Sequence, residues 1–245
     1  MLTALANGDL LAEKTGATPP TVVALHGWMR TGGDFAEIVS GLDAVSIHLP
    51  GMGVTPEPPE AWSTERYAQA VADAIEGYGP VILLGHSFGG RVAVRLAASR
   101  PNLVRGVVLT GVPLVRLATV SKPALGFRIV RSLAKAKLVP QSMLEKQRRK
   151  HGSADYRAAN GVMRDVLVKA VSDNYDDDMR RMSTPVRMIW GENDPQATAD
   201  AARAAAAMIR GSKLTIVPGA GHLLEGELRT VVREELDAMI EETHA

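Results

Sequence analysis

The chain has 245 residues, 46% of them hydrophobic and 22% charged, with a formal net charge of +1 and no cysteine. That length suits one α/β domain with a sizeable core, and no window approaches the ~18 uninterrupted apolar residues of a membrane span. The missing cysteines exclude a disulfide framework and a thiolate metal site, while near-neutral charge without interleaved aromatics argues against nucleic-acid recognition.

In chain order, Met1 to Asp9 lacks a basic region followed by an apolar core, so no secretory leader is expected and a cytoplasmic location is the simplest expectation. The first dozen residues are predicted to make antiparallel strands at a sheet edge. Thr21 to Leu25 reads as the first core strand, running into His26-Gly27-Trp28. A short helix is predicted from Asp34 to Val39, a strand from Ala44 to His48, and a Pro/Gly-rich loop from Leu49 to Pro59. Ser63 and Thr64 cap a helix predicted to reach Tyr78, where Gly79-Pro80 ends it.

Val81-Ile82-Leu83-Leu84 is a continuous apolar run, as in a parallel strand buried on both faces. Gly85-His86-Ser87-Phe88-Gly89-Gly90 follows, and then Arg91 to Ala98 at helical period. A Gly-x-Ser-x-Gly between strand and helix is the signature of a nucleophile elbow. The glycines permit a turn too sharp for side chains, and the helix N-terminus favours negative charge on an attacking oxygen. Ser87 is therefore the candidate nucleophile. Beyond it, Gly106 to Thr110, Val186 to Trp190 and Leu214 to Val217 read as buried strands, with helices over Ala199 to Ile209 and Leu223 to Glu241.

This alternation predicts an α/β fold with a mostly parallel central sheet flanked by helices. It breaks over 112–182, which reads as helical and charged. The expected organisation is a core of 1–111 and 183–245 with a helical cap inserted over the strand ends, where ligands bind in open α/β sheets. From Leu114 to Lys150 ten basic residues face Glu145 alone, a charge of +9 that leaves −8 for the remainder. A solvated helical face explains this; so does a surface that steers an acidic partner.

Ser87 needs a base, since a free hydroxyl is a weak nucleophile at neutral pH. His222 lies in Pro218-Gly219-Ala220-Gly221-His222, a loop between the last strand and the last helix. The other histidines (26, 48, 86, 151 and 244) are placed less favourably. The base needs an acid that holds its tautomer. Asp194, in Gly191-Glu192-Asn193-Asp194-Pro195 after a strand, is chosen over its neighbour Glu192. The order Ser87, Asp194, His222 is the one expected of an elbow nucleophile. Backbone N–H groups of Phe88 and Trp28 are the candidate oxyanion donors.

Taken together, His26-Gly27-Trp28, the 85–90 elbow, Gly191-Glu192-Asn193-Asp194 and Gly219-Ala220-Gly221-His222 resemble the successive signatures of the α/β-hydrolase fold superfamily. The resemblance runs from about Thr21 to the last helix and implies the variable cap of that family over 112–182. One departure stands out: many members carry an acidic residue before the Pro-Gly-x-Gly loop, where this chain has His48. The implied function is cleavage of a short or medium acyl ester through an acyl-enzyme, on a small-molecule substrate and with no cofactor. The fold also implies alternatives: a thioesterase or methyl ester esterase whose basic cap docks an acidic acyl carrier, a carbon–carbon bond hydrolase or lyase, and a non-catalytic receptor.

Overall fold

In the computed structural model, which describes residues 1–17, 19–117 and 154–244, eight strands form one sheet in the order β1-β2-β4-β3-β5-β6-β7-β8. They are β1 (Leu2–Leu5), β2 (Leu10–Thr15), β3 (Val22–Leu25), β4 (Ala44–His48), β5 (Val81–His86), β6 (Val104–Thr110), β7 (Val186–Gly191) and β8 (Lys213–Val217). β1 and β2 pair antiparallel with each other, and β2 pairs antiparallel with β4; every other pairing is parallel. The edge hairpin expected from the first dozen residues is thus present. The chain begins its parallel core at β3, crosses to β4 on one side and returns to β5 on the other. That reversal opens a crevice between the C-terminal ends of β3 and β5.

Helices are α1 (Thr64–Ile75), α2 (Phe88–Ser99), α3 (Ala154–Ala158), α4 (Gly161–Ser172), α5 (Asp176–Arg181), α6 (Ala199–Met208) and α7 (Gly226–His244). Ser63 and Thr198 cap α1 and α6 by accepting from the N–H groups of Arg66 and Ala201. Successive strand residues alternate between two cores. Val23, Leu25, Leu83 and Leu109 face α1, α2 and α6, while Val22, Ala24, Ile82 and Val108 face α7. Since both faces are covered, the strands read as unbroken apolar runs. α7 presents Leu228, Val232, Leu236 and Met239 as one stripe.

Two predicted helices differ. Over Asp34 to Val39 there is only a 3-10 turn, Gly32–Phe35. Gly32 packs so tightly on β4 that a Cβ there would lie 2.5 Å from the Ser46 carbonyl oxygen. The Arg233 guanidinium takes the carbonyls of Ile38 and Ser40 at the end of this segment. α7 starts at Gly226 rather than Leu223, because Gly226 sits at φ +52° after a turn closed by Glu225 N–H on Leu223 carbonyl.

Between β6 and β7 the described residues form α3, α4 and α5. The expected cap over 112–182 falls partly outside the described residues, as does its basic run from Lys122 to Lys150. α4 lies over the strand ends: Met163 fills the space a side chain on Gly51 would need, and Leu167 with Tyr156 of α3 and Ala159 just beyond it packs on Trp28. α5 is fastened to α2 by Arg95. Its guanidinium pairs with Glu65 at 2.9 Å, Asp173 at 3.1 Å and the buried Asp178, and stacks on the Tyr175 ring at 4.7 Å. Arg95→Ala strips Asp178 of one partner while Arg181 remains. A loss of about 3 kcal/mol is expected, the lower end for breaking a buried pair. Urea unfolding checks it, and an unmoved midpoint would mean the clasp is only a surface contact.

Candidate active site

Ser87 stands at the tip of the turn between β5 and α2 with φ +50° and ψ −112°, a conformation that costs a non-glycine residue about 1–3 kcal/mol. The surroundings enforce it. Ser87 N–H donates to the Thr110 carbonyl at 3.0 Å, and Gly89 N–H donates to the His26 carbonyl at 3.0 Å. A Cβ on Gly89 would lie 2.1 Å from the Leu25 carbonyl oxygen, and one on Gly90 2.1 Å from a Val112 methyl. The motif's glycines therefore answer to close approach by β3 and by the β6 exit.

His222 reaches this point from the loop after β8. Its Nε2 is 3.1 Å from Ser87 Oγ, and its Nδ1 is 2.6 Å from Asp194 Oδ2. Asp194 follows β7; its Oδ1 accepts from the N–H groups of Gln196 at 2.8 Å and Ala197 at 2.9 Å. These two donors hold the carboxylate plane and leave Oδ2 for the imidazole. With Asp194 anionic, the network puts the proton of His222 on Nδ1 and leaves Nε2 to accept from the serine hydroxyl. All three residues are buried. The sequence candidates 87, 194 and 222 are thus brought into one hydrogen-bonded line. Glu192 is not part of it: its carboxylate is turned outward and accepts from Gly219 N–H at 3.0 Å.

Trp28 follows β3 and Phe88 opens α2, on the two sides of the crevice, and their rings meet edge to face at 5.3 Å. Among the described residues no acceptor takes either backbone N–H. The Trp28 indole N–H is likewise buried and unpaired.

The remaining histidines hold the frame. His26 donates from Nδ1 to the Gly27 carbonyl at 2.8 Å and accepts at Nε2 from Leu49 N–H at 3.0 Å, which needs a neutral ring. Burial pushes its pKa down to about 4. His86, inside the elbow motif, donates from Nε2 to the His222 carbonyl at 2.9 Å, and its Nδ1 is buried with no partner. Burial, followed by repulsion from His222, takes it too to about 4. His48 accepts from Gly32 N–H at 3.4 Å and lies 3.4 Å from a Glu13 carboxylate oxygen. Burial outweighs Glu13 and lowers its pKa. The sequence departure at position 48 is a strand-end contact to β2. His151 lies outside the described residues, and His244 closes α7.

Sequence reading missed three of these features: the backbone cradle of Asp194, the tether from His86 to the His222 loop, and the unpaired indole. Each depends on a partner distant in the chain. Only His86 leaves a local trace, as the residue beside the nucleophile.

Both buried histidines are neutral when folded and protonate more readily when unfolded. Stability from their burial is therefore full above about pH 6.5 and is lost as pH falls towards 4, on the order of 3 kcal/mol per histidine. His86→Gln is expected to flatten this acid limb, read from denaturant midpoints between pH 7 and pH 4. An identical pH slope in both proteins would discard the assignment.

The Alpha/beta hydrolase family model matches residues 22–234. Among characterised proteins, the chain is 34% identical over 106 residues to Lipase LipV of Mycobacterium tuberculosis, covering 41% of each chain. It is 36% identical over 108 residues to the pimeloyl-[acyl-carrier protein] methyl ester esterase of Chromobacterium violaceum, covering 41% of this chain and 40% of that one. The matches thus span about two fifths of those relatives' length. The esterase EaEST from Exiguobacterium antarcticum has the same fold, with a TM-score of 0.71 and 98% coverage of both chains at 17% identity. Among the described residues no helix is long and apolar enough to cross a membrane. With a family model that runs from the first core strand into the last helix, the chain belongs to the alpha/beta hydrolase family.

Proposed function

We propose that this protein is a serine hydrolase that cleaves a carboxylic ester of short or medium acyl chain. The observation that carries the reading is the unbroken line from Ser87 Oγ through His222 to the doubly cradled Asp194. Ser87 attacks the acyl carbonyl while His222 Nε2 takes its proton, and Asp194 steadies the imidazolium. The Trp28 and Phe88 N–H groups, free of other acceptors among the described residues, hydrogen-bond the tetrahedral oxyanion. Its collapse breaks the carbon–oxygen bond; the alcohol leaves with the proton from His222, and the acyl group stays on Ser87. Water then attacks the acyl-enzyme, giving its proton to His222, and the acid is released as that proton returns to Ser87 Oγ. No other group enters these steps. Residues 112–182 act as the cap, with Trp28 joining it to the oxyanion turn.

A second reading, methyl ester cleavage on an acyl carrier, draws on the likeness to the Chromobacterium violaceum esterase and on the charge of +9 over Leu114 to Lys150. Covalent labelling by a fluorophosphonate, followed by turnover of p-nitrophenyl esters of rising chain length, tests the main reading. Labelling at Ser87 with a maximum at short or medium chains is expected. A protein that fails to label yet binds the esters would be a receptor.

A further inference from the structure

A cavity of about 220 Å³ lies between the first turn of α2, the β6 exit and the loop after β7. Pro113, Leu114, Val115 and Ala197 give it apolar walls, and Arg91, Arg116 and Asp173 give it charge. Arg91 is buried, yet its guanidinium meets no carboxylate within ion-pair distance among the described residues. Among the described residues it donates only to the Pro113 carbonyl, from Nε at 3.3 Å and Nη2 at 3.1 Å, with the Tyr175 ring 5.8 Å away. Arg116, which is exposed at the mouth of the cavity, donates to the carbonyls of Val171 and, at 2.8 Å, Asp173. Asp173 acts on Arg91 only at longer range, because its carboxylate pairs with Arg95 at 3.1 Å and accepts from Thr64 Oγ1 at 3.0 Å.

The contrast with Arg95, one turn further along α2, is informative: among the described residues it has three carboxylates and Arg91 has none. Desolvating a guanidinium is costly unless a counter-charge is supplied. Holding one carbonyl needs no such charge, since a neutral amide would serve. An anion entering the cavity would supply what is missing, and a carboxylate fits the planar fork of an arginine. The volume is below the about 300–1,000 Å³ of sites that enclose a whole ligand, so it suits a terminal group on an aliphatic stem. The cavity also shares residues with the elements that carry the triad. Arg91 stands one helical turn, about 6 Å of axial rise, after Ser87. The Gln196 and Ala197 residues on its wall are those that hold Asp194.

We propose that the Arg91–Arg116 cavity is a carboxylate subsite, and that the ester cleaved at Ser87 is the half-ester of an α,ω-dicarboxylic acid whose distal carboxylate docks there. This rests on the hydrolase reading above. The two guanidiniums select the charged end while the apolar walls take the methylenes next to it.

The test compares monomethyl with dimethyl esters of the four- to eight-carbon α,ω-diacids. The wild-type protein is expected to favour one half-ester over its diester by about tenfold or more in kcat/KM, mainly through KM, as a charge-assisted hydrogen bond supplies. Arg116→Gln lowers that ratio about fivefold, and Arg91→Met removes it; Arg91→Lys restores part of it. Because each protein is judged by a ratio on itself, partial misfolding of a variant cancels. A wild-type ratio at or below one for every chain length overturns the proposal, as does a ratio that neither arginine moves. If neither ester turns over and a fluorophosphonate leaves Ser87 unlabelled, the hydrolase reading has failed instead. The cavity is then decided by calorimetry with glutarate: saturable binding weakened by Arg116→Gln keeps the carboxylate site, and no binding removes it.

Discussion

Ser87→Ala is expected to lower kcat on a p-nitrophenyl ester by on the order of 10⁶-fold, the scale seen when the nucleophile of such a triad is removed. The oxygen that forms the acyl-enzyme is gone, and His222 Nε2 loses the hydroxyl it faces at 3.1 Å. What survives is substrate binding and the oxyanion donors, worth about 10³–10⁴ over water in comparable sites. Stability is expected to change little, by about 1 kcal/mol, because one side-chain hydrogen bond is lost and the backbone strain at φ +50° is the same for alanine. Steady-state kinetics and a thermal melt on the same sample separate the two effects. Turnover within tenfold of wild type would remove Ser87 from the mechanism.

Much of the fold was legible because its demands are local. The 81–86 run is apolar since β5 is covered on both faces, and Gly89 and Gly90 are dictated by the approach of β3 and Val112 to the elbow. The positions of 194 and 222 followed from chain order, each just after a strand. The predicted helix at Asp34 gave way to a 3-10 turn under a constraint distant in the chain, the close packing of Gly32 on the Ser46 carbonyl of β4. His48 looked anomalous for a similar reason: its partner Glu13 lies on β2, an edge strand that pairs with β4 antiparallel. The isolation of Arg91 was equally unreadable. A helical pattern shows an arginine at that place, but only the folded packing of Pro113, Tyr175 and Asp173 reveals that no carboxylate among the described residues meets it.

Asp194→Asn is expected to reduce kcat by about 10⁴-fold, equivalent to about 5 kcal/mol of transition-state stabilisation. The reason lies in the two N–H groups that Oδ1 accepts, from Gln196 and Ala197. An asparagine there keeps its carbonyl oxygen towards those donors, because the opposite flip would set its NH₂ against them. Its NH₂ then faces His222 Nδ1, which has to accept. The proton moves to Nε2, opposite the Ser87 hydroxyl, and the base is lost although every atom stays near its place. The cradle remains satisfied, so the melting temperature should hold. Glu192→Gln supplies the contrast, since that side chain only accepts from Gly219 N–H at the surface; its kcat should stay within about threefold, a difference of less than 1 kcal/mol. Comparable losses from both substitutions would mean that neither carboxylate orients the imidazole in the way the 2.6 Å contact implies.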